Sequence, residues 1–130
     1  MSDTTTLTPR QTGILIAFGV TGWFAAALLI RFLEPFNVFD GMARVWTYLL
    51  IIPGSVPLVW IGRAIAGLAK AQLGVASAIF TTTALLLDGL AVAWIPWLYG
   101  TATDHVLAGA AAILWGAGVA ITLGFVMGRR

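Results

Sequence analysis

The sequence predicts an all-α polytopic membrane protein, a four-transmembrane-helix bundle with a proline-kinked second helix. Three observations predict it. Of the 130 residues, 60% are hydrophobic and only 9% charged, against about 25% charged in a soluble domain. Four apolar stretches, at about 12–33, 42–66, 71–98 and 105–127, each suffice to cross a ~30 Å hydrocarbon core at ~1.5 Å per helical residue. Short segments rich in Pro, Gly and charge separate them. One domain over residues 1–130 accounts for the whole length.

Composition excludes several classes of function. The chain has no cysteine and one histidine, so no metal site, haem or other cofactor is expected. The formal charge of +2 comes from seven Lys/Arg and five Asp/Glu. No basic run exists beyond Arg129–Arg130, so nucleic acid is not an expected partner. The sequence shows no nucleophile–base arrangement and no phosphate loop, so the chain is read as non-enzymatic.

Residues 1–7 are polar and Thr-rich, a loose tail in sequence terms. Thr8 then fits a helix N-cap, Pro9 the first helical position and Gln11 the capping-box position. From Gly13 to Ile30 there is no charge. Ala25-Ala26-Ala27 resembles a signal-peptide cleavage site. The segment before the apolar run carries only Arg10 as a cation, and the run is long, so the first span is read as retained. Arg31 and Glu34, three apart, are expected to pair at the interface. Asp40 fits as a cap for the second span, and Arg44 as a partner of Asp40 or Asp104.

The second span contains Pro53 and Pro57. Each proline removes a helix hydrogen bond and frees a carbonyl, so a kink or short break is expected there. A short turn bearing Lys70 leads into the third span, which ends near Pro96 and Gly100. Trp94, Trp97 and Tyr99 beside them read as an interfacial aromatic belt. His105 is expected at the start of the fourth helix. Leu33-Glu34-Pro35-Phe36 and Trp94-Ile95-Pro96-Trp97 echo each other as span endings. Four spans put Arg10, Arg63, Lys70, Arg129 and Arg130 on one side and Arg31 and Arg44 on the other. The positive-inside rule then predicts cytoplasmic N- and C-termini in the cell (inner) membrane.

Two packing signals stand out. In the fourth span Ala108, Ala112, Gly116, Ala120, Gly124 and Gly128 recur every fourth residue, so they share one helix face. Small residues let a second backbone approach closely. Packing within the chain is the plainer reading, and a seam with a second copy is the other. The first span carries a weaker version in Gly13, Ala17, Thr21 and Ala25.

Asp88 is the one acid within the third span. At 100° per residue, Lys70, Ser77, Thr81 and Asp88 fall within about 40° of one another, a narrow polar stripe. Asp88 precedes Trp97 by nine residues, roughly 14 Å. The Pro53–Pro57 segment, Trp23 and Trp115 fall at a similar depth. The candidate polar site is therefore Asp88, Thr81, Ser77, Ser55, Trp23 and Trp115. Partners expected for Asp88 are the Trp23 or Trp115 indole, the Ser55 hydroxyl and carbonyls freed by the prolines. Apolar surroundings favour its neutral form. One reading is a proton relay or cation site; the other is an acid that fixes helix packing. A span shifted to leave Asp88 nearer its outer end, with Trp94–Tyr99 as a surface segment, is a further alternative.

Ala84-Leu85-Leu86-Leu87-Asp88-Gly89 followed by Pro96-Trp97-Leu98-Tyr99-Gly100, with Ile30-Arg31-Phe32 closing the first span, resembles a group of small bacterial four-helix membrane proteins known as a domain of unknown function. The resemblance implies the four-span layout and no activity. Small multidrug transporters carry their essential acid in the first span, and this first span has none. The function expected is that of a non-enzymatic accessory or interaction subunit, packing through small-residue helix faces. Its partners would be the lipid bilayer and either a second copy or a larger membrane complex. The alternative is a small dimeric proton-coupled transporter or channel using Asp88.

Overall fold

A computed structural model describes residues 6–129. Four α-helices account for most of them: α1 (Pro9–Phe32), α2 (Gly41–Ala66), α3 (Leu73–Trp94) and α4 (Thr103–Gly128). All four are long and apolar enough to cross a membrane. In the most apolar stretch of each, at most 33% of the residues are buried within the chain. The rest of that apolar surface faces outward, as it does in helices that meet lipid.

The capping box at the start of α1 forms as the sequence predicts. The Thr8 hydroxyl accepts the Gln11 amide at 3.1 Å, and the Gln11 side chain accepts the Thr8 amide at 3.0 Å. The Gln11 amide group also donates to the Gly67 carbonyl at 3.1 Å, tying α1 to the end of α2. Gly67 there has φ 63°, and the Leu68 amide reaches back to the Arg63 carbonyl at 3.0 Å, the left-handed stop that glycine makes easily.

Of the kink or short break expected at the α2 prolines, the break does not occur. The helix runs unbroken from Gly41 to Ala66 with Pro53 and Pro57 inside it. Ser55 spends its hydroxyl on the Ile51 carbonyl of the same helix at 2.7 Å. Asp40 occupies the N-cap position of α2, but its side chain makes no capping bond.

The third helix is shorter than its apolar run. It stops at Trp94, because Ile95 leaves helical geometry and Pro96 has no N–H to continue the ladder. Pro96–Leu98 forms a 3₁₀ turn. Glu34–Phe36, with Pro35, forms another directly after α1. The two Pro-aromatic echoes in the sequence thus both become 3₁₀ turns. Asp88 consequently lies six residues, roughly 9 Å, from the end of its helix.

In the bundle, α3 packs closely against both α1 and α4, and α4 packs against α2. Helices α1 and α2 touch lightly, and α2 scarcely meets α3. The ring order is therefore α1–α3–α4–α2. Two apolar clusters fill it. One, towards the end where α1 starts and α4 finishes, holds Leu15, Val59, Ala66, Leu73, Ala76 and Phe80. The other, towards the opposite end, holds Ala27, Ile30, Phe39, Ala91, Tyr99, Val106 and Ala112.

Candidate functional site

The ring order decides which of the sequence-predicted polar residues meet. Asp88 is buried and accepts a hydrogen bond from the Tyr99 hydroxyl at 2.5 Å. The Tyr99 oxygen in turn accepts the Trp23 indole N–H at 3.0 Å. Tyr99 is 0% exposed, so it is no belt residue. The turn after α3 folds its ring back into the bundle, where it joins α3 to α1. Sequence spacing missed Tyr99 as the partner of Asp88, since the third span was read as helix as far as residue 98 and Tyr99 as a belt residue at its end. The signal available was Pro96 between the acid and the tyrosine.

Trp115 and Ser55 do not reach Asp88. The Trp115 indole donates to the Tyr48 carbonyl of α2 at 2.9 Å and stacks on the Tyr48 ring at 5.7 Å. This carbonyl is one residue from that of Leu49, whose helical donor Pro53 removes. The expected single layer around Asp88 is therefore two separate pairings. Trp23, Tyr99 and Asp88 join α1 to α3, while Trp115 and Tyr48 join α4 to α2.

Ser77 and Thr81 are buried on α3, and neither hydroxyl has a hydrogen-bond partner within the chain. Ser77 meets α4 at its closest approach: a Cβ placed on Gly124 would lie 2.1 Å from the Ser77 oxygen and 2.8 Å from the Leu73 carbonyl. Such proximity is that of a Cα–H group against an oxygen. The sequence stripe Lys70–Ser77–Thr81–Asp88 thus places hydroxyls at a helix seam.

A donor chain from indole to phenol to carboxylate has a direction. An indole N–H can give a hydrogen bond but has no lone pair to accept one. The chain therefore ends at Trp23 and passes no proton beyond it. These two hydrogen bonds link α1 to the turn after α3 and that turn to Asp88 on α3.

A clasp closes the end opposite the termini. The Glu34 carboxylate accepts the Thr101 amide at 3.0 Å, the Thr101 hydroxyl at 2.9 Å and the Ala102 amide at 2.9 Å. These groups stand at the N-terminus of α4, whose own N-cap residue, Ala102, has no capping side chain. A carboxylate suits that position because the exposed amides and the helix dipole favour negative charge. The same bonds, led by the Ala102 amide, hold the Glu34 pKa at about 2 against an ordinary 4.5. In return, His105 Nε2 lies 2.7 Å from the Ile30 carbonyl. A carbonyl only accepts, so this nitrogen carries a proton. Each helix end thus caps the other.

Gly100, between them, has φ 156°, and a Cβ there would fall 2.8 Å from the Glu34 carboxylate. Arg31 donates to the Trp97 carbonyl and Arg44 to the Phe39 carbonyl. The expected Arg31–Glu34 and Arg44–acid pairings are replaced by bonds to backbone.

The α4 stripe is used inside the chain. Ala112, Ala120 and Gly124 are buried, and Ala108, Gly116 and Gly128 are half-buried. Gly116 faces Ile51 of α2, Gly124 faces Ser77 of α3, and Gly128 faces the Lys70 carbonyl. The α1 stripe behaves differently: Gly13, Ala17, Thr21 and Ala25 are all exposed. A Cβ on Gly13 would meet nothing within 4 Å. The close approach of α1 to α3 is made instead by Gly19 on its other face, where a Cβ would lie 2.6 Å from the Phe80 carbonyl.

Two concavities border these features. A groove of about 330 Å³ is lined by Trp23, Leu87, Leu90, Ala91, Trp94 and Ile95. A cavity of about 220 Å³ lies among Glu34, Asn37, Phe39, Asp40, Asp104 and His105. Among the described residues, no group of three or more His, Asp or Glu is placed to hold a metal ion.

Comparison of the chain with protein-family models, with curated proteins and with solved structures finds no match.

Proposed function

We propose that this chain is an integral membrane protein of non-enzymatic character, an accessory or interaction subunit that packs against another transmembrane helix through α1. The observation that carries the reading is the contrast between the two small-residue stripes. The α4 stripe is occupied by α2 and α3, whereas Gly13, Ala17, Thr21 and Ala25 leave one face of α1 free. Helices associate in lipid through such faces because small residues let backbones approach.

The chain is naturally free of cysteine, which makes the test direct. Single cysteines at Ala17, Thr21 and Ala25 are introduced, with one at Leu114 on the outer face of α4 as control. Membranes from cells at native expression are then oxidised. Crosslinking at the α1 positions and not at Leu114 supports the reading, and the mass of the product identifies a second copy or a different polypeptide. Equal yields at all four positions overturn it.

Membrane location is supported by four long apolar helices with outward apolar faces. The proposed orientation, cytoplasmic termini in the cell inner membrane, is supported by Arg10, Arg63, Lys70 and Arg129 at one end against Arg31 and Arg44 at the other. Reporter fusions at either terminus test that orientation.

Proton-coupled transport through Asp88 is the lesser proposal. It draws on a buried acid above two unpartnered hydroxyls. Asp88→Asn abolishing proton flux into vesicles would favour it over the packing role.

A further inference from the structure

The two ends of the bundle differ in charge. At the end bearing the termini, α1 contributes Arg10, α2 Arg63, the following turn Lys70 and the end of α4 Arg129. Among the described residues no Asp or Glu stands at that end, so its formal charge is +4. The opposite end carries Arg31 and Arg44 with Glu34, Asp40 and Asp104, a formal charge of −1. Both of those arginines also donate to backbone carbonyls, of Trp97 and Phe39.

The fold gathers the four cations. The Gln11–Gly67 bond holds the start of α1, with Arg10, beside the end of α2, with Arg63. A Cβ on Gly128 would lie 3.0 Å from the Lys70 carbonyl, so Arg129 follows directly beside Lys70. Arg63 is anchored by its Nε, which donates to the Leu68 carbonyl at 3.3 Å. Its two terminal nitrogens remain for a ligand. Trp60, one turn inward and on the same side of α2 as Arg63, is 59% exposed. An exposed indole one turn inside a cation matches the boundary of a bilayer, where Trp lies at headgroup level and basic residues meet lipid phosphate.

We propose that Arg10, Arg63, Lys70 and Arg129 form a phosphate-binding face that holds anionic phospholipid headgroups, with Trp60 packed at the level of the glycerol. The proposal rests on the membrane location given above. The site selects by charge: phosphatidylglycerol carries a net negative charge, whereas the phosphate of phosphatidylcholine is offset by its own choline.

The full chain is reconstituted into nanodiscs of equal phosphatidylglycerol and phosphatidylcholine and released gently for native mass spectrometry. Retained phosphatidylglycerol is expected to exceed phosphatidylcholine about tenfold or more, to fall about fivefold when a single cation is neutralised, and to approach equal retention in the triple variant. The series is Arg63→Gln, Lys70→Gln and Arg129→Gln, singly and combined, with circular dichroism reporting that each variant is folded. Arg63→Lys should keep most of the selectivity. Arg31→Gln with Arg44→Gln at the other end should leave it unchanged. Equal retention of the two lipids, or selectivity that survives the triple variant, overturns the proposal. So does displacement of the lipid by millimolar inorganic phosphate, which would mark a site for the free anion. A chain that fails to enter the discs overturns the membrane reading itself, an outcome visible before any lipid is counted.

Discussion

Helices α1 and α4 carry the same kind of small-residue stripe, and the fold uses only one of them. On α4 the stripe meets the Ile51 side chain, Ser77 and the Lys70 carbonyl, and the backbone at the start of α3 comes close to its C-terminal part. On α1 the stripe faces outward, and the contact with α3 falls to Gly19 on the opposite face. A four-residue repeat of small side chains therefore gives a helix the capacity for close approach. Which neighbour occupies that face is a property of the ring order.

The sharpest way to break the contrast is Gly124→Leu. Its first added carbon alone would sit 2.1 Å from the Ser77 oxygen and 2.8 Å from the Leu73 carbonyl, and backbone cannot step aside cheaply. We expect at least ~3 kcal/mol of destabilisation, read as a lower midpoint in denaturing-detergent titration. Gly19→Ala applies the same test to the inner face of α1. The new methyl meets the Phe80 carbonyl at 2.6 Å and Thr83 Cβ at 2.8 Å, with an expected loss of about 1–3 kcal/mol. A Gly19→Ala protein as stable as the parent would mean that α1 and α3 are not closely packed.

Tyr99→Phe removes the hydroxyl that joins those two helices while keeping the ring. It leaves the Asp88 carboxyl and the Trp23 N–H without their partner, for which a loss of about 1–3 kcal/mol is expected. Asp88→Asn should cost less than Tyr99→Phe, since an amide oxygen can still accept from the phenol. The reverse order would argue that Asp88 does more than hold Tyr99.

Acid titration probes the α1–α4 clasp. Glu34 has a folded pKa near 2 against 4.5, so its contribution is complete above pH 4.5 and fades as pH falls from 4.5 towards 2. Unfolding measured across that window should show a modest loss of stability, and Glu34→Gln should flatten it. The smallest effect on the fold is expected from Ala17→Leu. Its side chain enters open space, so stability should change by less than ~0.5 kcal/mol. Association through α1, followed by crosslinking, should nevertheless be lost. A drop in stability there would show that α1 has a neighbour within the chain on that side.

Much of this architecture was legible from residues alone. Thr8, Pro9 and Gln11 specify the start of α1 because capping is local chemistry, and Thr8 and Gln11 do bond as expected. The four apolar runs specify four helices because length and hydropathy decide what can cross a bilayer. The Pro-aromatic echoes mark where α1 and α3 end. Other features needed the third dimension. Trp23 and Trp115 look alike in sequence, yet one serves the Tyr99–Asp88 pair and the other a carbonyl of α2. Glu34 and His105 are 71 residues apart, and nothing local announces that each caps the helix of the other.

The sequence by itself determined how many helices there are, where most of them start, and that Asp88 needs a partner inside an apolar helix. It did so because capping, hydropathy and the cost of burying an acid are properties of a residue and its near neighbours. Only the tertiary structure decided that the partner is Tyr99, that α4 spends its small face within the chain and that α1 does not. Those outcomes depend on the α1–α3–α4–α2 order of the ring, and that order is set by all four helices packing at once.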